Sequence, residues 1–398
     1  MFFSGGSNGP LAVVLFASCA FAPATAARDV AASTDQPAAA AARAGSRVYG
    51  PVRPDADKPV ADTGVADTAG PGIPPVLHQL AVVTASSHPQ VRTQEGRLRA
   101  AGYDVRGAKW LRFPSLSVEA LAITRGSVNA ARDGTVLNAV VEQPIWTGGR
   151  ITAAIDRAQS QLLVQHAALD ETARDLVLRL IQSYYDVAGA ARRVTILQDA
   201  LQQHRDLADT IARRVAQQVS PRSDLDLARA RAAQVEQQLT FAQAQRSAGL
   251  NTMIELTGDA DLRLGDVPPY DAALHHPSRE GAIEKALACD PRTARLSAEA
   301  LVARAEQRSA KSALLPQLVG QLSSNEVLGE RVGVALRAQT GNGLSQAAAA
   351  QGAGERARAS EQAIASAQRE LREALRLDFV TNEAARARIG SAAAAATS

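Results

Sequence analysis

His88-Pro89, followed by Lys109-Trp110-Leu111-Arg112-Phe113-Pro114, returns later in the chain as Asp290-Pro291 followed by Lys311-Ser312-Ala313-Leu314-Leu315-Pro316. The two prolines stand equally far apart in both copies. After the second proline each copy gives a short alternating stretch, a loop, another alternating stretch, a Thr-Gly pair (Thr147-Gly148, then Thr340-Gly341) and a long helical run. Self-similarity over so long a span marks a duplicated unit, here helix, hairpin, helix.

Within the first copy the pattern from Val76 to Arg112 is helical. Pro89 suits a first turn after a break, and Pro114 cannot continue the helix. Ser115 to Thr124 then alternates, with Leu116, Val118, Ala120 and Ala122 on one face and Ser115, Ser117 and Glu119 on the other. Thr135 to Gln143 does the same, Leu137, Ala139 and Val141 opposing Asn138 and Glu142, and a turn region with Gly126, Asn129, Asp133 and Gly134 lies between. The second copy offers Gln317 to Ser323 and Arg331 to Ala338, joined near Asn325 and Gly329. The first pair has about the nine to eleven residues per strand that cross a bilayer when tilted.

The run from Gly149 to Val219 lacks proline, and its one internal glycine is Gly189. About 70 helical residues would reach roughly 105 Å, more than a globular domain needs. A seven-residue series of Ala173, Leu180, Val187, Val194, Leu201, Ala208 and Val215 runs through it and requires a supercoiled partner. The partner is next in the chain: Val219-Ser220-Pro221-Arg222-Ser223-Asp224 reads as a turn, and Leu225, Ala228, Ala232, Val235, Leu239 and Ala242 follow at alternating helical spacings. The two helices are predicted to form an αα-hairpin with its tip near Ser220, with Ser220 and Pro221 at the N-cap and N1 of the returning helix.

Composition narrows the function classes. Of 398 residues 46% are apolar but only 4% aromatic, so Ala-lined helix seams outnumber bulky cores. The net charge of +3 arises from 43 basic and 40 acidic residues mixed in sign, without the basic stripe that a nucleic-acid surface needs. Leu11 to Ala22 is an apolar core followed by Pro23 and Ala24-Thr25-Ala26, which fits a secretory signal cleaved before Ala27; lipidation at Cys19 is the alternative. Cleavage would leave Cys289 as the one thiol, with no internal disulfide. The expected organisation is a signal peptide at 1–26, a disordered Ala/Pro/Asp-rich leader at 27–75, a first repeat at 76–265, a linker at 266–281 and a second, incomplete repeat at 282–398. No later segment approaches the roughly 20 apolar residues of a membrane helix, so a membrane-spanning form must be a β-barrel.

The stretches Lys109 to Pro114, Glu142-Gln143-Pro144-Ile145-Trp146-Thr147-Gly148-Gly149-Arg150, Tyr184-Tyr185-Asp186, Arg213 to Leu225 and Leu256-Thr257-Gly258 resemble the TolC-type outer membrane efflux and type I secretion channel family. The resemblance is nearly continuous from about 77 to 265 and partial from about 280 to 388. The segment at Glu142 to Arg150 looks most like the branch that secretes large adhesins. The resemblance implies a mainly α fold: long antiparallel coiled-coil helices with two β-hairpins per chain, contributing to a trimeric 12-stranded outer membrane barrel and a periplasmic α-helical tunnel. It also implies a periplasmic adaptor protein, an inner-membrane transporter and outer membrane lipid as partners. Physics agrees that copies must pool strands, because four strands leave edges that lipid cannot tolerate.

The chain departs from the family pattern in two places. Gln217-Gln218 stands where the family has glycine shortly before the tip. In the second copy Phe379 is the counterpart of Tyr184, so a second tip and returning helix are not expected, and Gly341, Gly343, Gly352 and Gly354 weaken the helix by about 1 kcal/mol for each interior glycine. The final Gly390-Ser391 and Ala-rich residues read as a frayed end. A truncated, inactive channel or a soluble periplasmic coiled-coil protein is the contrasting reading.

By that resemblance the adaptor-docking tip is Val219, Ser220, Pro221, Arg222, Ser223 and Asp224; the plainer reading has Ser220 and Asp224 only capping a helix. Trp146 follows the second strand, where an amphipathic ring suits a membrane interface, although it could simply pack under the strand-to-helix joint. His275-His276 reads as a solvated linker rather than a metal site, and Cys289-Asp290-Pro291 as a helix start rather than a reactive thiol. No phosphate-binding loop, nucleophile elbow or paired-carboxylate arrangement argues for catalysis or a cofactor.

Overall fold

His88 and Asp290 explain why the duplication begins at an X-Pro pair. Each is the N-cap of a helix with proline at N1: His88 Nδ1 accepts from Gln90 N at 3.2 Å, and Asp290 Oδ2 accepts from Thr293 N at 2.9 Å. In the computed structural model, which describes residues 73–123, 134–265, 278–325, 329–338 and 344–397, the predicted helical run before Pro114 is therefore two helices, α1 (Pro75–Ser87) and α2 (Pro89–Trp110). Strands β1 (Ser115–Ile123) and β2 (Gly134–Trp146) follow, then α3 (Arg150–Ala216) and α4 (Arg222–Thr257). The second repeat runs α5 (Arg279–Cys289), α6 (Pro291–Ser312), β3 (Gln317–Asn325), β4 (Gly329–Arg337) and α7 (Ser345–Thr397). The fold is thus mainly helical with one small antiparallel sheet.

That sheet has the order β1-β2-β3-β4, and the two repeats meet where β2 pairs with β3. Directly paired residues share a face. Leu116, Val141, Leu322 and Val332 form one row and Glu142 and Gln321 part of the next, so one face is apolar and the other polar. The apolar face lies open, with Leu116 68%, Val334 64% and Val332 84% exposed. β2 runs past Gln143, where the alternation appeared to stop, because β1 begins opposite Glu142 and Pro144 has no β1 neighbour to which it would owe a hydrogen bond. A β-bulge then leaves Ile145 unpaired between Pro144↔Val319 and Trp146↔Leu318.

The strand-to-helix turn uses both glycines of Thr147-Gly148-Gly149. They adopt φ of +58° and +88°, and Arg150 N donates to Thr147 O at 3.1 Å. A side chain at Gly148 would also meet Leu315 Cβ at 2.9 Å, in the corresponding corner of the second repeat.

With 67 residues, α3 is about 100 Å long. Its heptad series packs as predicted: Leu180, Val187, Val194, Leu201 and Ala208 are buried, and Ala173 and Val215 are half-buried. On α4, Leu225, Ala228 and Ala242 are buried and Ala232, Val235 and Leu239 half-buried. Gly249 allows the helices to approach closely, since a Cβ there would lie 2.7 Å from Val187 Cγ2. The main apolar cluster sits partway along α3, where Leu77, Val91, Leu180, Tyr184, Met253 and Leu256 converge from four helices.

α5 begins at Arg279, where Ser278 Oγ accepts from Gly281 N at 3.3 Å and caps it. The C-terminal residues are not frayed: α7 continues to Thr397. Gly352 and Gly354 lie inside α7, and at Gly354 a Cβ would stand 3.0 Å from Nε2 of Gln307 on α6, the far end of a flexible side chain. Gly341 and Gly343, the signal and nearly all of the leader, and the hairpin turn around Gly126 to Asp133 lie outside the described residues. No helix among the described residues is long and apolar enough to cross a membrane.

Candidate functional site

The α3–α4 tip is built by a Schellman turn. Val219 N donates to Arg214 O at 2.9 Å and Gln218 N to Val215 O at 3.0 Å, the paired bonds that close a helix through a left-handed residue. Gln218 is that residue, at φ +61°. The left-handed position of this turn, which favours glycine, is held here by glutamine. Arg213 and Arg214 lie in the last turn, where cations oppose the helix dipole.

The expected cap is corrected by one residue. Pro221, at φ −72° and ψ 154°, is itself the N-cap of α4, with Arg222 at N1 and no side-chain cap. Gln218 and Val219 are consumed by the turn, which leaves Ser220 as a link between the helices. Asp224 lies in the first turn of α4, where a carboxylate is favoured, and its N–H donates to Pro221 O at 3.2 Å. All six predicted tip residues sit in one turn: Val219 and Pro221 to Asp224 are exposed, and Ser220 is half-buried.

Trp146 is the last residue of β2 rather than a residue beyond it, paired opposite Leu318 and half exposed. Two further aromatics reach the surface at the end of α2: Trp110 and Phe113 are exposed, with ring centroids 4.9 Å apart. The motif Lys109 to Pro114 contained both, but helix periodicity offered no reason to single them out. On the polar sheet face Arg337 Nη1 donates to Glu142 Oε2 at 3.0 Å, across the intervening β3. Sequence reading missed this pair because only the strand register brings β2 and β4 together.

A ladder of ion pairs binds α3 to α6. Arg308 meets Asp156 at 2.8 Å, Arg157 meets Glu306 at 3.0 Å, and Arg295 meets Glu171 at 2.6 Å. Hydrogen bonding to Glu171, followed by that to Glu299, raises the Arg295 guanidinium pKa above its ordinary value, although burial opposes the rise. Arg174 bonds Asp290, so the cap of α6 is also the anchor of α3.

The remaining candidates divide. His275-His276 lies outside the described residues. Cys289 closes α5, and Asp290 beside it caps α6. Among the described residues no cluster of three or more His, Cys, Asp or Glu is placed to hold a metal.

Residues 80–259 match the model of the outer membrane efflux protein family. No curated protein matches the chain. Among solved structures, the outer-membrane channel OprN is similar at a TM-score of 0.68 and 18% identity, covering 80% of this chain and 76% of that one. CusC, whose structures concern folding and transmembrane channel formation, is similar at 0.65 and 17%, covering 80% and 79%. The outer membrane protein VceC of Vibrio cholerae is similar at 0.63 and 19%, covering 79% and 81%.

Proposed function

We propose that this chain, which carries the outer membrane efflux protein sequence over residues 80–259 and the fold of the TolC-type channels, is the outer membrane component of a tripartite export system. It is a passive conduit and not an enzyme: energy comes from inner-membrane partners, and the chain supplies a hole and a docking surface. The observation that carries this reading is the sheet, with one exposed apolar face, one polar face and two edges unpaired among the described residues, mounted on a helical layer whose longest helix, α3, is about 100 Å long. Lipid tolerates such a sheet only when its edges are closed. Three copies closing a barrel satisfy that requirement, and the helices then extend into the periplasm as a tunnel.

In this reading Val219 to Asp224 meets a periplasmic adaptor, whose docking rearranges the coiled-coil pairs near the tip and opens the conduit. Trp146 lies at the membrane interface. Cargo is either a secreted protein such as an adhesin or a small molecule. Crosslinking of the expressed chain in isolated outer membranes tests the assembly, with a trimer expected by mass. A monomer, or protein confined to the periplasmic fraction, overturns the reading in favour of a soluble coiled-coil protein. A photocrosslinker at Arg222 is expected to capture the adaptor, and one at Arg150 is not.

A further inference from the structure

We infer that Glu142 and Arg337 form a charge-compensated station in the pore wall that keeps its ion selectivity low; the inference rests on the channel reading above. The strand register assigns the faces. Leu116, Val332, Val334 and Leu336 lie exposed on one side, where a bilayer would cover them, so the opposite side lines the water-filled lumen. Glu142 and Arg337 lie on that opposite side, on strands separated by β3, and Arg337 Nη1 reaches Glu142 Oε2 at 3.0 Å. Their side chains remain 30% and 45% exposed, so the pair borders open space instead of being buried in the wall.

The described lumen face carries Glu119 and Glu142 against Arg331 and Arg337, a balance of two charges of each sign. In a ring of identical chains each change is repeated around the pore. Removing one partner converts compensated pairs into a ring of like charges, the arrangement by which pores select ions. The pair lies toward the helical end of the strands, four residues before Trp146 on β2, where lumen and tunnel join.

The test is the reversal potential of the purified full-length chain in planar bilayers under a potassium chloride gradient. Arg337→Gln is expected to shift the permeability ratio several-fold toward potassium and Glu142→Gln several-fold toward chloride. The exchanged double variant, Glu142→Arg with Arg337→Glu, is expected to return the wild-type ratio. Wild-type conductance with an unchanged ratio in both single variants overturns the inference and leaves the channel reading standing, whereas a chain that crosslinks in outer membranes only as a monomer removes the channel reading itself. A wild type that stays closed without its adaptor is decided by the cysteine accessibility that follows. If the single variants fail to insert, cysteine accessibility decides. Ser117→Cys is expected to react with a membrane-impermeant thiol reagent and Leu116→Cys is not, and the reverse result places Glu142 and Arg337 against lipid and overturns the assignment.

Discussion

Asp290 offers the sharpest test of how the two repeats are held together. Its side chain is 5% exposed and does two jobs: it caps α6 through Thr293 N at 2.9 Å, with Thr293 Oγ1 at 2.8 Å, and it pairs with Arg174 of α3. Losing an N-cap costs about 1 kcal/mol. Removing one partner of a buried pair costs about 3–5 kcal/mol, because the other charge is stranded. Arg174 keeps Asp175 Oδ1 at 3.0 Å and remains 18% exposed, which sets the lower end of that range. Asp290→Ala should therefore cost about 4 kcal/mol and Asp290→Asn, which can still cap, about 3 kcal/mol. Urea unfolding of the detergent-solubilised protein, followed by helical circular dichroism at constant m, measures both. The double variant Asp290→Ala with Arg174→Ala should cost about 2 kcal/mol less than the sum of the singles. The reasoning fails if Asp290→Asn is nearly neutral or if the two single effects simply add.

Gln218→Gly should stabilise the tip by about 1 kcal/mol, since φ of +61° strains a residue with a Cβ, and hydrogen exchange at Val219 N should slow accordingly. Gly249→Ala should cost about 1–3 kcal/mol through overpacking on Val187, and adding Val187→Ala should relieve that clash while opening its own cavity, so thermal melts of the pair should be strongly non-additive. Hydrogen bonding from His166 to Asp170, whose atoms lie 3.3 Å apart, raises the imidazole above its ordinary 6.5. A raised folded value means the pair's support is complete below pH 6.5 and is lost as pH rises through the folded value. The side chains are 58% and 56% exposed, so His166→Gln should remove only a small pH-dependence of the melting temperature over that window.

The helices were legible because their evidence is local. A heptad repeats its instruction every two turns, and an Asp-Pro or His-Pro pair states both a cap and a first turn. Strand existence was legible for the same reason, from Leu116-Ser117-Val118 and its neighbours. What sequence reading lost depended on partners distant in the chain. Pro144 appeared to end β2 because the shorter reach of β1 was not visible. The Arg174–Asp290 and Glu142–Arg337 pairs join residues more than 100 positions apart, and charge composition treats them as ordinary surface residues. Ser220 was misplaced for a different reason. Pro at N1 is a sound general preference, but the Schellman turn before it had already used Gln218 and Val219, and an extended Pro221 could serve as the N-cap itself.

The exposed surfaces also bear on how copies would meet. β1 and β4 are both nine residues long, and they are the two unpaired edges of the sheet. Because the order is strictly up and down, β4 of one chain set beside β1 of another continues the antiparallel alternation without a break. That contact joins unlike edges, so it is heterologous, and a heterologous contact either closes into a ring or grows without limit. A two-fold pairing of β1 with β1 would leave both β4 edges bare in lipid. On the helices, Ile196 of α3 and Phe241 of α4 line one exposed groove, while Leu377 and Val380 of α7 are exposed on the second repeat, so the helical layer also presents unlike surfaces on its two repeats. The sheet edges thus call for a head-to-tail operator, and closure of that operator into a ring is what would separate the proposed trimer from an open filament.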